Sequence, residues 1–517
     1  MMGRILDTKV TAIQFVLLAV GLGTSTDATA TLCCGSLAEA GLTSRLLYPE
    51  STRYNGRQET FFSLHEDLSP WCILQPQTTE EVSTAVKTLG ATEPCQFAIR
   101  SGGHHHAKAS NNIHQGVTID LGNMNSVKYH AENSTTSVEP GAQWGDIYGK
   151  LDPMGLTVAG GRDASVGVAG LVLGGGNSFY SALRGMVCDG VRRFEVVLAN
   201  GDVVLANKDI NSDLFQVLKG GGNNFGIVTR LDVDTFETGK LWGGLVYYPL
   251  DATADIIDAF VNFADKIDEN PASSSVIFWM YQPAAKGTIL GASFANIGGV
   301  VMDEPHRDFW AIQNISSSMR TTTITDLTEE LILPGEVYTN VEFTLTIKSD
   351  GRAIKKVLDL HDQAVEEMKT LSDDFVSAVM FQPIALSYAA GGVARGGNVL
   401  GIDRFAETQV LCILWLQVRP ELVRVAEQIM GSWYQAGHDY AVSIDQESDW
   451  IYLGYAYASQ DPFAGYGREN MGKISAAAKK YDPTGVFQSR VPGGFKISKS
   501  YSGFYEDQNV MNERDEL

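Results

Sequence analysis

The sequence predicts an α+β chain with a glycine-rich first part and a second α+β domain over about 240–445, and three observations lead there. Residues 72–99 read as strand, helix, strand. Glycine-rich loops, each adjoining a strand, recur three times between about residues 100 and 228. Near residue 240 glycine thins and longer amphipathic helices begin, and glycine and aromatic residues return after about residue 450.

The elements follow in order. Cys72-Ile73-Leu74-Gln75 is a short apolar run before Pro76, and Thr78 with Glu81 forms a capping box. Val82, Ala85, Val86 and Leu89 then recur at the spacing of one helix face. Phe97-Ala98-Ile99 starts a strand that runs into Arg100-Ser101-Gly102-Gly103-His104, and 117–121 is the next strand. The densest glycine segment is 160–180, GGRDASVGVAGLVLGGGNSFY. The runs 194–198 and 203–205 flank Asn200-Gly201, a type I′ hairpin signal, and Ser212 is placed to cap a short helix carrying Leu214, Phe215 and Leu218. Gly220-Gly221-Gly222-Asn223-Asn224-Phe225-Gly226 leads into a strand at 227–229. Farther on, Ile256, Ala259, Phe260 and Phe263 mark one helix, and Ile354, Val357, Leu358 and His361 a second. Pro420 opens a third, which carries Leu422, Val425, Ala426 and Ile429. Strand-like runs at 276–281, 341–348 and 410–418 lie between them.

The 517 residues suffice for a large core without covalent staples, and 44% hydrophobic with 19% charged residues is a globular composition. Glycine, at 53 residues, exceeds the usual ~7%. The balance of 39 basic against 61 acidic residues gives a net charge of −22, with no basic run. Nucleic-acid binding and attachment to anionic membranes both need basic faces, so neither is expected.

At the N-terminus Arg4 and Lys9 precede an apolar stretch of about 14 residues, and Ala28-Thr29-Ala30 offers a small-x-small cleavage site. That stretch is shorter than the ~20 residues a membrane span needs, so a secretory signal peptide over 1–30 is expected and no span after its removal. Asn133-Ser134-Thr135 and Asn314-Ile315-Ser316 are glycosylation sequons that agree with secretion. The chain ends Arg514-Asp515-Glu516-Leu517, one residue from a lumenal retention address. The protein is therefore expected in the secretory pathway, secreted or retained, although an acidic tail could end this way by chance. Six cysteines, Cys33, Cys34, Cys72, Cys95, Cys188 and Cys412, are compatible with disulfides in that compartment, but spacing alone gives no pairing.

Glycine-rich loops present backbone N–H groups and let a phosphate approach, so three of them point to a phosphate-bearing cofactor rather than to surface turns. The pattern is not the dinucleotide fingerprint, because Gly220-Gly221-Gly222 continues without the further glycine that G-x-G-x-x-G requires. Neither a P-loop nor a G-x-S-x-G nucleophile elbow is present, which weighs against a serine hydrolase. His104, His105 and His106 are consecutive, whereas metal sites use spaced ligands, so no metal is expected.

These residues carry a resemblance. Arg100 to His104 is similar to the R-x-G-G-H loop of FAD-linked oxidases with a PCMH-type (vanillyl-alcohol-oxidase-like) flavin domain. Gly167-Val168-Ala169-Gly170 through Gly174-Gly175-Gly176, and 220–228, resemble that family's second and third loops. Tyr452-Leu453-Gly454-Tyr455 and Lys480-Tyr481-Asp482-Pro483, with Val486-Phe487, look like the closing segment of the berberine-bridge enzymes, and Val491-Pro492-Gly493-Gly494-Phe495-Lys496 resembles a fungal ending. The resemblance implies an N-terminal segment over 31–67, a flavin domain over 68–240, a substrate domain over 241–445, a returning segment over 446–497 and an acidic tail over 498–517.

It implies FAD held by Arg100, Ser101, Gly102, Gly103, His104, His105, Ser165, Val166, Gly167, Gly170, Gly226, Ile227 and Val228. His104 is the implied covalent attachment to the flavin 8α carbon. Some relatives attach the flavin again through a cysteine, where this chain has Asp163, so a single attachment is expected. Val166 fills the place that gates oxygen in the family, and its small size suits an oxidase. Tyr452 matches the family's catalytic tyrosine, although Gly454 stands where that pattern has Asn, and Tyr455 is the alternative base. Gln417 is a candidate to face the substrate. A cysteine near the mature N-terminus bonds one before the histidyl loop in relatives. Cys95 fits the second place and Cys33 or Cys34 the first; the expected bridge is Cys34–Cys95, with Cys72, Cys188 and Cys412 buried and free.

The implied activity is an oxidase that takes hydride from a small organic substrate, of secondary-metabolite type, and passes electrons to O₂ to give H₂O₂. A carbohydrate oxidase and a secreted flavin-binding protein of little turnover are the alternatives. Residues that choose the substrate lie within 241–445, where no motif is visible.

Overall fold

The computed structural model describes residues 25–498, apart from 286 and 334–337. Strand Cys72–Leu74, helix Thr79–Ala91 and strand Phe97–Arg100 form the expected unit, with the Thr78 side chain accepting from the backbone N–H of Glu81. The two strands do not touch. Val117–Asp120 lies between them, parallel to both, and Leu46–Leu47 closes the four-stranded sheet antiparallel to Cys72–Leu74. A second, antiparallel sheet has the order Val127–His130, Thr135–Val138, Ile227–Asp234, Val191–Val197, Val203–Ala206.

The third sheet is antiparallel and larger. Its central strands run Leu241–Tyr248, Gly287–Asn296, Ser273–Gln282, Val376–Ile384, Gln409–Val418, Thr339–Lys348. Helices Gly351–Lys369 and Val423–Ser443 pack on each other and on one face of it. On the other face, Ala378, Ile413 and Trp415 pack with Met280, Met380 and Tyr455. Alternation along the strands therefore sends one set of side chains to the helices and the next set toward the residues after 450.

The chain then returns to its first part. Lys480 and Tyr481, at the end of helix Arg468–Tyr481, bond Asp213 of helix Ser212–Leu218, and Phe97 donates its N–H to the carbonyl of Arg490. Among the described residues no helix is long and apolar enough to cross a membrane.

Three local expectations are corrected. The bridges are Cys33–Cys95 and Cys34–Cys72, so the expected Cys34–Cys95 pair does not form and Cys72 is not free. Both N-terminal cysteines lie in helix Ser25–Leu37, where consecutive side chains point about 100° apart and so reach different partners, Cys72 in a strand and Cys95 in the loop before strand Phe97–Arg100. Cys188 and Cys412 are buried thiols, as expected. Asn200-Gly201 is not a type I′ turn: Val197 pairs with Val203, and only Gly201 is left-handed, at φ 86°. A turn closed by Gly201 N–H on the Leu198 carbonyl, followed by that left-handed glycine, makes the longer loop. Ser212 is the first helical residue rather than the cap, which is Asn211 in a left-handed conformation. The leader stretch before residue 25 and the terminal Arg514-Asp515-Glu516-Leu517 lie outside the described residues; Ala28-Thr29-Ala30 falls in the first helix.

Candidate active site

The three glycine-rich loops meet around one cavity of about 220 Å³. Ser101, Gly102, Gly103, His104 and His105 line it from the first loop, and Val166, Gly167 and Gly170 from the second. Gly226, Ile227 and Val228 supply a third wall, and Leu453, Gly454 and Phe495 of the returning segment a fourth. Gly102 and Gly167 are required by each other: a Cβ on Gly102 would come within 2.6 Å of the Gly167 Cα, and a Cβ on Gly167 within 2.7 Å of the Gly102 Cα. Those two glycines therefore seal loop against loop. At Gly170 a Cβ would meet nothing within 4 Å, so that glycine leaves open space beside the cavity.

The three consecutive histidines part company. His104 stacks on Phe62 with ring centroids 3.9 Å apart, and its Nε2 is buried without a hydrogen-bond partner. Burial holds its imidazole below the ordinary range, against the opposite pull of Asp163 and Glu342, so the ring is kept neutral. His105 is driven down to about 3 by burial and by its histidine neighbours. His106 places Nδ1 3.1 Å from the Glu342 carboxylate.

Two expected cofactor contacts lie elsewhere. Arg100 is 1% exposed and turned away: its guanidinium sits 3.6 Å over the Phe61 ring and donates to the carbonyls of Arg57 and Thr60. It anchors the N-terminal segment. Ser165 donates its hydroxyl to Asp163, whose other oxygen accepts from the N–H of Leu333. That aspartate, standing where a second attachment occurs in some relatives, braces its loop.

Tyr452 is 1% exposed, its hydroxyl makes no hydrogen bond within normal distance and angle, and burial raises its pKa well above the ordinary phenol value, with Tyr455 adding to the rise and Arg162 and the Gly176 backbone opposing it. A Cβ at Gly454 would lie 2.7–3.0 Å from the Tyr452 ring and hydroxyl, so the ring occupies the room that an asparagine there would need. Tyr455 is half-buried, packs edge-on to Tyr452 at 4.8 Å, and accepts a hydrogen bond from Arg162 at 3.2 Å. Arg162 also donates to Gln382, which accepts from Asn177 as well. Gln417 is buried and donates to Asn340. Sequence reasoning missed Arg162 and Gln382, because a single loop arginine and one strand glutamine carry no periodic signal.

The geometry joins the comparisons with known proteins. A family model described as "FAD binding domain" matches residues 70–207. The chain is 36% identical over 472 residues to the FAD-dependent monooxygenase drtC of Aspergillus calidoustus, covering 90% of each chain. It is 37% identical over 483 residues to the FAD-dependent monooxygenase sdcF of Emericella nidulans, covering 91% of this chain and 99% of that one. The chain belongs to the PCMH-type, berberine-bridge-like FAD-linked oxidoreductases. A glucooligosaccharide oxidase from Acremonium strictum, whose structure is described with 6-S-cysteinyl, 8α-N1-histidyl FAD, shares the fold. Its TM-score is 0.71 at 19% identity, with 90% of this chain and 99% of that chain covered. The residues here fit the cofactor, since the oxidoreductase has a glycine-lined cavity and a neutral, unpartnered histidine nitrogen on its wall.

Proposed function

We infer that the chain is an oxidase that carries FAD on one covalent bond to His104 and oxidises a small organic metabolite beside Tyr455. The observation that carries the attachment is the orphaned Nε2 of His104 on the cavity wall. A neutral imidazole keeps the lone pair that attachment needs, and burial favours that form. Asp163 has no thiol to offer, so the link is single. Bound FAD supplies a two-electron acceptor and a route to O₂, with H₂O₂ as product.

The chain's own groups do the rest. A tyrosine that takes up a substrate proton needs a cation or donors at its oxygen. Tyr455 has Arg162; Tyr452 has no hydrogen bond and a strongly raised pKa. We therefore assign proton removal to Tyr455, the alternative in the sequence reading, and give Tyr452 no part in that step. Val166 lines the cavity, and its small side chain agrees with access for oxygen. Two disulfides, and exposed Asn133 and Asn314, support a glycosylated protein of the secretory pathway.

The test is acid precipitation of the purified protein. A yellow pellet is expected, lost in His104→Ala and kept in His105→Ala; flavin left in the supernatant of the wild type would sink the attachment. The relatives named monooxygenases favour a second reading, in which oxygen enters the product. An oxidase releases one H₂O₂ for each substrate consumed, and a clear shortfall measured by a peroxidase-coupled assay would decide for the monooxygenase.

A further inference from the structure

The polar cluster around Arg162 holds more donors than it holds acceptors. Arg162 Nη2 and Asn177 Nδ2 both donate to the Oε1 atom of Gln382. Two donors on one oxygen fix the amide, since turning it over would set its NH₂ group against both. The Nε2 atom of Gln382 is therefore held as a donor, on a residue 1% exposed, and it has no acceptor. A buried N–H without an acceptor is destabilising, and that cost disappears when a ligand brings the acceptor. The hydroxyl of Tyr452 is in the same condition, on a ring 4.8 Å from that of Tyr455, which Arg162 also contacts.

Arg162 is itself short of a counter-charge. Among the described residues no carboxylate forms an ion pair with it, and its hydrogen bonds both leave from Nη2, to neutral partners. Asp163, next in the chain, is spent on Ser165 and on the Leu333 N–H. A half-buried guanidinium, an orphaned amide and an orphaned hydroxyl thus stand in one cluster with nothing negative among them. A neutral sugar or plain alcohol leaves that positive charge uncompensated. An anionic oxygen answers all three groups, and charge-assisted hydrogen bonds are about twice as strong as neutral ones.

The geometry points to an anchoring site for an anionic oxygen of the substrate, a carboxylate or an ionised enol or phenol, formed by Arg162, Gln382 and Tyr452. The assignment rests on the reading that oxidation takes place beside Tyr455. It narrows the substrate from any small metabolite to one with an acidic oxygen near the carbon that is oxidised.

Calorimetric titration of the yellow holoenzyme with benzoate, with 4-cyanophenolate at alkaline pH and with neutral benzamide tests it. At least one anion is expected to bind about tenfold or more tightly than benzamide, and Arg162→Gln to weaken that anion by about tenfold or more. Gln382→Leu should weaken it by about threefold to tenfold. Binding of benzoate alone assigns the carboxylate class, and of the phenolate alone the enol or phenol class. If Arg162→Gln fails to fold, Arg162→Lys replaces it, expected to keep the preference for anion over benzamide while weakening the anion, because it keeps charge but loses the fork. Benzamide binding as well as both anions, no anion binding at all, or anion binding indifferent to both positions would overturn the site. The acid pellet of the same preparation separates the two readings: a colourless pellet with intact anion binding defeats the flavin attachment alone, and a yellow holoenzyme that binds no anion defeats the anchor alone.

Discussion

Tyr452 and Tyr455 are three positions apart and differ in what reaches their oxygens. The Tyr452 hydroxyl is buried without a partner, while that of Tyr455 receives Arg162 at 3.2 Å. Matching the sequence to the family's tyrosine selected Tyr452, because a motif carries order and not orientation. The departure at Gly454 was visible, but its consequence was not: with no side chain there, the Tyr452 ring fills the space. Tyr455→Phe is expected to slow anaerobic flavin reduction by roughly 10²-fold, the scale of a lost general base, and Tyr452→Phe by less than about threefold. Stopped-flow reduction at saturating substrate measures both, and the reverse order would return the role to Tyr452. The place of His104 on the cavity wall was legible for a different reason. It follows a glycine pair at the end of a strand, and the loop's conformation is set by those neighbours. Arg100, in the same motif, reads as part of the site and is an anchor instead, since its partners Arg57 and Thr60 lie some 40 residues away in sequence.

Elements with a strong period were readable and those without one were not. Helices Gly351–Lys369 and Val423–Ser443 show their apolar spacing in the sequence and lie where that spacing places them. Three strands of the large sheet, Leu241–Tyr248, Gly287–Asn296 and Val376–Ile384, went unread. The first two are interrupted by glycines that serve contacts between strands: a Cβ at Gly291 would lie 2.4 Å from the Phe278 ring opposite it. The third contains Pro383, which argues against a central strand. Disulfide pairing is likewise a property of the folded elements, because helix Ser25–Leu37 sends its adjacent cysteines to a strand, at Cys72, and to the loop that holds Cys95. Titration with a thiol reagent without reductant should find no reactive thiol in the folded protein and two after unfolding, from Cys188 and Cys412. Four would mean that a bridge is absent. Cys33→Ser with Cys95→Ser opens a link between residues 62 apart and should cost about 4 kcal/mol of stability, read from denaturant unfolding.

At the scale of the molecule, one short segment ties the glycine-rich half to the large sheet. Phe62 donates to the Gly103 carbonyl and stacks on His104, Ser63 accepts from the N–H of Asn340, and Leu64 donates to Tyr338. Glu66 closes this strap with no exposure, accepting from the N–H of Ser110 through one oxygen while the other stays unpartnered. Burial pushes its carboxyl up to about 8, against backbone N–H groups and Arg100, which pull it down. The sign follows from proton counting. Unfolded, a glutamate has released its proton above about pH 4.3, whereas the folded protein keeps it until about 8. Across that window the native state binds the extra proton, so the contribution of Glu66 is complete below the window and is lost as pH rises through it. Glu66→Gln imitates the protonated acid and should remove that slope. The melting temperature of the variant relative to wild type is therefore expected to rise from pH 5 to pH 9, by a few degrees at the alkaline end. Other titrating groups, His65 included, act in both proteins and cancel in the difference. A difference that stays flat with pH would show that Glu66 titrates normally, and that the strap does not hold its proton.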